Sequence, residues 1–113
     1  MNILFLCTAN VQRSKTAEEL LRALDKTNVY LSAGLSAKYT EKSGSTLCTI
    51  EMLTWADKVF VFENEHIKRI QKYAGDDFLL KVVNLNIEDK FYYFQRELVL
   101  KLLEKIQVLG ISD

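Results

Sequence analysis

Runs of apolar residues divide the chain into predicted strands and helices. The run Ile3-Leu4-Phe5-Leu6 contains no polar position, which predicts a strand over residues 2–6 that is buried on both faces. Further strands are predicted at 29–31, 58–62 and 79–85, where β-branched, aromatic and aliphatic residues cluster. The first strand is therefore expected to lie in the centre of a parallel sheet.

Helical spacing follows the first strand. From about 14 to 25 the apolar residues recur at i, i+3, i+4 and i+7, while Glu18, Glu19 and Arg22 are expected to face water. The predicted buried positions of this helix are Ala17, Leu20, Leu21 and Leu24. This helix should cover one face of the sheet.

Three later segments also have helical spacing. Residues 45–53 carry apolar positions at helical intervals, and Asn64 is a candidate cap for a helix bearing Ile67, Ile70 and Ala74. The last predicted helix runs from about 95 to 109, with Gly110 as its stop. Its buried stripe is predicted to consist of Val99, Leu102, Leu103 and Ile106.

Strands that alternate with helices predict an α/β fold. We expect a three-layer α/β/α arrangement around a four-stranded parallel sheet, in a single domain that spans residues 1–113. Ligands of such sheets bind beyond the carboxyl ends of the strands. Cys7 lies at one of these ends.

A cysteine, an arginine and a serine occupy the segment between the first strand and the first helix. The spacing is Cys-x5-Arg-Ser, from Cys7 to Arg13 and Ser14. A strand, a tight loop and a helix N-terminus direct backbone N–H groups and the helix dipole at one point, which suits a phosphate group. The same field favours a thiolate, so Cys7 is predicted to be a nucleophile, with Arg13 as a clamp on two phosphoryl oxygens and Ser14 as a hydroxyl donor to the sulfur. The alternative is a thiol that only packs in the core.

The residues around this motif resemble the opening of the low-molecular-weight protein tyrosine phosphatases. The similar stretch runs from Asn2 to Leu20, with the sequence NILFLCTANVQRSKTAEEL. Ser32-Ala33-Gly34 is similar to the end of that family's second strand, and 55–62 to its third strand and lead-in. The chain looks like a compact, bacterial-type member in which the segment between the second and third strands is trimmed. The resemblance implies a phosphate-binding loop after the first strand.

The residues and the resemblance together imply a covalent mechanism without a metal or another cofactor. The Cys7 thiolate would attack phosphorus in line, and water would hydrolyse the resulting cysteinyl-phosphate. The Arg13 side chain and the loop amides would meet the charge on the equatorial oxygens. The predicted phosphate-binding residues are Thr8, Ala9, Asn10, Val11, Gln12, Arg13 and Ser14. Asn10 is expected to adopt the left-handed region and to brace the loop, and the alternative is a solvent-facing side chain.

The leaving phenolate requires a general acid. The family's Asp-Pro-aromatic segment resembles the stretch from Ile87 to Tyr93, which makes Asp89 the candidate acid and Glu88 its nearest alternative. Lys90 stands in place of the proline. Aromatic residues beside the acid, Phe91, Tyr92 and Tyr93, are candidate walls of the substrate pocket, with Tyr39 opposite and at least one of the three in the core. His66 is expected to be a surface or hydrogen-bonded histidine, and Trp55 a core residue.

Three positions depart from the family's pattern. Ala9 replaces a common glycine, which would strain the loop if the position required a positive φ. Lys15 replaces a common proline and is expected to add a cation beside the phosphate site. Gln12 replaces the second loop cysteine of several members, so Cys7 should have no disulfide partner in the loop.

Composition excludes several other classes of function. The formal net charge is zero and no basic block of five residues occurs, so neither nucleic acid nor an anionic membrane is expected as a partner. The first apolar run is too short for a signal peptide, and no stretch approaches the roughly 20 apolar residues of a membrane span, which predicts a cytoplasmic protein. With His66 as the one histidine, no metal cluster is expected.

The leading prediction is a phosphatase that acts on a phosphotyrosine protein or a small aryl phosphate as a monomer or weak dimer. A non-catalytic phosphate- or phosphoprotein-binding module is the alternative from another class. Arsenate reduction is less favoured, because it needs thiols to relay the oxidising equivalent and Cys48 has no neighbouring cysteine.

Overall fold

The computed structural model describes residues 1–108, which contain one sheet of four parallel strands in the order β2-β1-β3-β4. The strands are β1 (Asn2–Cys7), β2 (Val29–Gly34), β3 (Lys58–Val61) and β4 (Val82–Asn84). The central strand, β1, pairs with β2 along its whole length, from Asn2 with Val29 to Cys7 with Gly34. The predicted α/β fold with a four-stranded parallel sheet is confirmed.

Five α-helices within residues 1–108 connect or follow the strands. They are α1 (Arg13–Leu24), α2 (Ala37–Ser43), α3 (Ile50–Trp55), α4 (Asn64–Ala74) and α5 (Arg96–Val108). A 3₁₀ turn at Leu79–Lys81 leads into β4. None of these helices is both long enough and apolar enough to cross a membrane.

The alternation of side chains along β1 supplies a core to each face of the sheet. Ile3, Phe5 and Cys7 join a cluster with residues of α1 and α5. Leu4 and Leu6 join the second cluster, with residues of α3 and α4. Helices therefore cover both faces, as the continuous apolar run predicts, and the arrangement has three layers.

The segment between β2 and β3 differs from the prediction. The predicted helix over 45–53 begins only at Ile50, because the preceding residues pair with the end of β2: Leu47 bridges to Gly34, and the Cys48 N–H donates to the Gly34 carbonyl at 2.8 Å. The Thr49 side chain caps α3 by accepting from the Met52 N–H. Trp55 is only partly buried, against the cluster that covers Leu4 and Leu6.

The predicted helix ends and buried stripes also need correction. Glu18, expected to face water, is buried, because its carboxylate accepts hydrogen bonds from Ser32 and Arg22, while Leu24 at the end of α1 is exposed. The cap of α4 is Glu63 rather than Asn64, without a side-chain hydrogen bond.

In α5 the fully buried positions are Leu98, Leu102 and Ile106, whereas Val99 and Leu103 are half-buried at the side of the stripe. The predicted fourth strand, 79–85, is shortened to Val82–Asn84 by the 3₁₀ turn. The predicted stop at Gly110 lies outside the described residues.

The sheet order determines where a ligand can bind. Strands β2 and β3 lie on opposite sides of β1 in the sheet. The chain therefore reverses its direction of winding at β1, which opens a crevice at the carboxyl end of this strand. The residues that follow β1, β3 and β4 all reach this edge of the sheet. Residues distant in sequence therefore meet beyond Cys7.

Candidate active site

The loop between β1 and α1 turns its carbonyl groups outward to the neighbouring segments. The Leu35 N–H donates to the Cys7 carbonyl at 2.8 Å, and the Ser36 N–H donates to the Thr8 carbonyl at 3.0 Å. The Ser45 hydroxyl donates to the Ala9 carbonyl. These three contacts fix the outer edge of the loop in place.

The N–H groups of the same loop remain available. Within residues 1–108, no protein group accepts a hydrogen bond from the backbone N–H of Ala9, Asn10, Val11 or Gln12. The N-cap of α1, Gln12, makes no side-chain capping bond, and no acidic residue lies in the first turn of this helix. A helix N-terminus with free donors and no carboxylate suits a bound anion.

Asn10 gives the loop its shape. It is buried and adopts the left-handed region, with φ of 55°. Ser14 and Asn10 form a hydrogen bond of 2.8 Å between Oγ and Oδ1. The Asn10 side chain thus links the middle of the loop to the first turn of α1, as predicted from the sequence.

The Cys7 sulfur lies 2.9 Å from Ser14 Oγ, and both residues are buried. A serine hydroxyl has one hydrogen, so Ser14 can donate to the sulfur or to Asn10, but not to both. A hydrogen bond from Ser14 to a thiolate is stronger than one to the Asn10 amide oxygen. When Ser14 donates to the sulfur, the Asn10 side-chain amide can flip so that its NH₂ group donates to Ser14 Oγ. This arrangement can stabilise negative charge on Cys7.

Arg13 is almost completely buried and is held from behind. Nη1 donates to the Ile87 carbonyl at 2.9 Å, and Nη2 lies 2.8 Å from Glu63 Oε2. The guanidinium also stacks 5.6 Å from the centre of the Phe62 ring. Within residues 1–108 each terminal nitrogen has one such partner, and Nε makes no hydrogen bond. Nε–H and the second hydrogens of the terminal nitrogens can therefore meet oxygens of an anion.

The two candidate acids differ in position. Asp89 Oδ1 lies 3.7 Å from Arg13 Nε, and Asp89 lines the pocket above Cys7. Glu88 does not line that pocket and lies 3.8 Å from Lys90 Nζ at the surface. Of the two carboxylates, Asp89 is therefore the one at the pocket.

The pocket at the carboxyl end of β1 has a volume of about 450 Å³. Its lining consists of Cys7, Thr8, Ala9, Val11, Gln12, Arg13, Tyr39, Ser43 and Asp89. Of the predicted phosphate-binding residues, Asn10 and Ser14 are buried and do not line the pocket. Tyr39, on α2, lies at the pocket with about half of its side chain exposed.

The other predicted wall residues are elsewhere. Phe91 is in the core, packed with the α5 residues, and Tyr92 is 75% exposed outside the pocket lining. Tyr93 donates to Glu19 on α1. The chain passes away from the site after Asp89, because Phe91 is drawn into the core and Phe94 is held by its N–H bond to Thr16 Oγ1.

Two residues at the site could not be found from the motif. Glu63 follows β3 and pairs with Arg13 at 2.8 Å, and it lacks any sequence signal beyond its place after a predicted strand. His66 is buried on α4: its Nδ1 accepts from the Phe62 N–H at 3.1 Å, and its Nε2 lies 3.3 Å from Thr8 Oγ1. Burial, with repulsion from Arg13 as the next cause, lowers the pKa of His66 to about 4.

The three departures from the family's pattern are structurally mild. Ala9 is not among the residues with positive φ, so its methyl group causes no backbone strain. The sequence predicts that Lys15 adds a cation beside the phosphate site. The Lys15 ammonium instead lies 3.7 Å from both Glu18 and Glu19, along α1. Gln12 lines the pocket.

The second cysteine, Cys48, does not line the pocket. Cys48 belongs to the core cluster on the face opposite that of Cys7, and both thiols are free. Burial raises the pKa of Cys48 to about 12. Across residues 1–108, no group of three His, Cys, Asp or Glu side chains is placed to hold a metal ion.

The fold and the site indicate a cysteine-based phosphatase, a hydrolase of phosphoric monoesters. The family model for low molecular weight phosphotyrosine protein phosphatase matches residues 2–78, and the chain belongs to that family. Among curated proteins, no sequence matches the chain.

Solved structures share the fold at low sequence identity. Tyrosine phosphatase AmsI from Erwinia amylovora is 22% identical with a TM-score of 0.76, and the alignment covers 99% of this chain and 93% of AmsI. Wzb from Vibrio vulnificus, solved with benzylphosphonate, is 18% identical with a TM-score of 0.74 over 96% of each chain. The YwlE arginine phosphatase from Geobacillus stearothermophilus is 19% identical with a TM-score of 0.62, covering 99% of this chain and 88% of YwlE.

Proposed function

We propose that this phosphatase hydrolyses aryl phosphate monoesters such as phosphotyrosine through a cysteinyl-phosphate intermediate. The observation that carries the proposal is the pocket in which the lining residues Cys7, Arg13 and Asp89 meet within a volume of about 450 Å³. Cys7 is the nucleophile, Arg13 the clamp on the equatorial oxygens and Asp89 the general acid. The free amides from Ala9 to Gln12 complete the phosphate cradle.

The walls of the pocket support an aryl group. Tyr39 contributes an aromatic face, and Ala9 and Val11 contribute apolar carbon at the rim of the loop. Asp89 is 61% exposed at the mouth of the pocket, where a leaving-group oxygen would emerge from a phosphate bound between Cys7 and Arg13. The acid and the phosphate site thus lie on one path out of the pocket.

A phosphorylated guanidinium is the second candidate substrate, because one of the solved relatives in fold is an arginine phosphatase. Arsenate reduction is less favoured, since Cys48 is buried in the core on the opposite face of the sheet from Cys7 and does not line the pocket. A pure binding module would require loss of the acid, whereas Asp89 is in the pocket lining.

The test is hydrolysis of p-nitrophenyl phosphate in the presence of a metal chelator, with Cys7→Ser as the control variant. We expect turnover by the wild type and none by Cys7→Ser. The same assay with phosphotyrosine and phosphoarginine peptides assigns the substrate. Faster release of phosphate from phosphoarginine would overturn the aryl preference, and no turnover of any substrate by the wild type would leave the binding module in its place.

A further inference from the structure

A hydrogen-bond chain with a fixed direction ends at the phosphate loop. The Phe62 backbone N–H can only donate, so His66 Nδ1 must accept at 3.1 Å. A neutral imidazole that accepts at Nδ1 carries its hydrogen on Nε2. His66 Nε2–H is therefore the donor in the 3.3 Å contact with Thr8 Oγ1.

The direction of this chain determines what the Thr8 hydroxyl does. Thr8 Oγ1 accepts from His66, and no other group in residues 1–108 hydrogen-bonds that oxygen. The hydroxyl hydrogen is consequently free. Thr8 lines the pocket next to Cys7, so this hydrogen can be directed at a ligand there.

We propose that the Thr8 hydroxyl, oriented by His66, is a further donor to the bound phosphoryl group. The inference rests on the proposed function, because it takes the pocket above Cys7 to be the phosphoryl site. Thr8 is then a catalytic residue, since it touches the substrate, and His66 is a positioning residue that acts through Thr8. No proton is transferred between them during the reaction.

The surroundings of His66 support the neutral form that this role requires. The ring is buried with 1% of its surface exposed, and Arg13 lies close enough to oppose a second positive charge. Glu63 Oε2 lies 3.9 Å from Nε2, too far to compete with Thr8 for the hydrogen. A protonated ring would also lose the acceptor that holds the Phe62 N–H.

Thr8→Val is the direct test, because it removes the hydroxyl and keeps the branched shape. We expect kcat/KM for p-nitrophenyl phosphate to fall by roughly 10-fold or more, as for loss of a hydrogen bond to a charged oxygen, and Thr8→Ser to recover most of it. Thr54→Val, on the exposed side of α3, is the matched control and should leave kcat/KM unchanged. Wild-type kcat/KM in Thr8→Val would overturn the inference.

Two substitutions of His66 test the positioning role. Asparagine places an oxygen where Nδ1 accepts but has no donor at the position of Nε2, whereas glutamine offers an N–H near that position. We expect His66→Asn to lower kcat/KM about as much as Thr8→Val, the Thr8→Val/His66→Asn double variant to be no worse than either single variant, and His66→Gln to retain more activity. Additive losses in the double variant would contradict action through Thr8.

A binding measurement separates this inference from the proposed function. Titration of inorganic phosphate into Cys7→Ser protein, by calorimetry, does not depend on turnover. Adding Thr8→Val should weaken this binding by roughly 10-fold, while adding Thr54→Val should not change it. Unchanged phosphate affinity would overturn the Thr8 contact even if the wild type is an active phosphatase, and a phosphate-binding wild type without turnover would overturn only the proposed function.

Discussion

At the residue scale, two contacts hold the Arg13 guanidinium in one orientation. Its terminal nitrogens are engaged by the Ile87 carbonyl and Glu63, which leaves a planar fork for the phosphate. Arg13→Lys keeps the charge but cannot hold both anchors and two phosphate oxygens, so we expect a loss of about 3 kcal/mol in transition-state stabilisation. Steady-state kcat/KM measures this loss. Activity within a few-fold of the wild type would remove the clamp from the mechanism.

The role of Asp89 is tested by leaving groups of different basicity. Phenolate needs a proton to leave and nitrophenolate hardly does, so Asp89→Asn should slow phenyl phosphate by about 100-fold or more and p-nitrophenyl phosphate much less. Glu88→Gln, at the surface beside Lys90, is the matched control and should affect neither substrate. An equal fold loss for both substrates in Asp89→Asn, or no loss, would rule out Asp89 as the general acid. A loss in Glu88→Gln that is selective for phenyl phosphate would assign that role to Glu88.

At the scale of elements, the end of β2 sets the position of the phosphate loop. A Cβ added at Gly34 would lie 2.5 Å from Thr40 Cγ2 and 2.8 Å from the Thr8 carbonyl oxygen. Gly34→Ala should therefore lower the free energy of unfolding by about 1–3 kcal/mol and weaken inhibition by inorganic phosphate.

Gly75→Ala is the comparison for Gly34→Ala. A side chain at Gly75 meets open space and is disfavoured only by the backbone φ of 78°. We expect this variant to lose stability in urea without a change in phosphate inhibition. If Gly34→Ala also leaves phosphate inhibition unchanged, the loop does not depend on the β2 contact.

The elements also show what the sequence can predict. The first strand, α1 and the Cys-x5-Arg-Ser loop are local and continuous, so their patterns predict the fold and the position of Cys7. Helix α2 lacks an apolar stripe and is defined instead by its Ser36 cap and by Gly44 at its end, signals that are clear only once the helix is known. Glu18 reads as a surface residue because its partner Ser32 lies on another element.

The rest of the site depends on the meeting of distant segments. Glu63 and His66 come to Arg13 and Thr8 through the packing of α4 beside β3, which no spacing in the sequence encodes. Phe91 and Tyr92 closely follow Asp89 in sequence, yet the chain turns away from the pocket after Asp89. Neighbouring positions in the chain therefore predict a shared site poorly where a loop crosses into the core.

At the scale of the whole molecule, the buried His66 links folding to pH. Its pKa of about 4 in the folded protein lies below the ordinary value of about 6.5, so the unfolded chain binds a proton that the folded chain does not in this range. Above pH 6.5 the ring is neutral in both states and does not lower the free energy of unfolding. As the pH falls from 6.5 toward 4, protonation of the unfolded chain lowers the free energy of unfolding by up to about 3 kcal/mol.

Urea unfolding across this pH range measures the effect. His66→Gln should unfold with a shallower dependence on pH between 6.5 and 4, because glutamine does not titrate. Parallel curves for the wild type and His66→Gln would show that the ring does not stay neutral in the folded protein.

We expect Cys7 to carry the phosphoryl group during turnover. The most direct measurement is rapid quenching of the enzyme with ³²P-labelled aryl phosphate, followed by identification of the labelled residue. We expect label on Cys7 in the wild type and in Cys48→Ser, and none in Cys7→Ala. Turnover of the substrate without label on Cys7, or hydrolysis by Cys7→Ala at the wild-type rate, would contradict it.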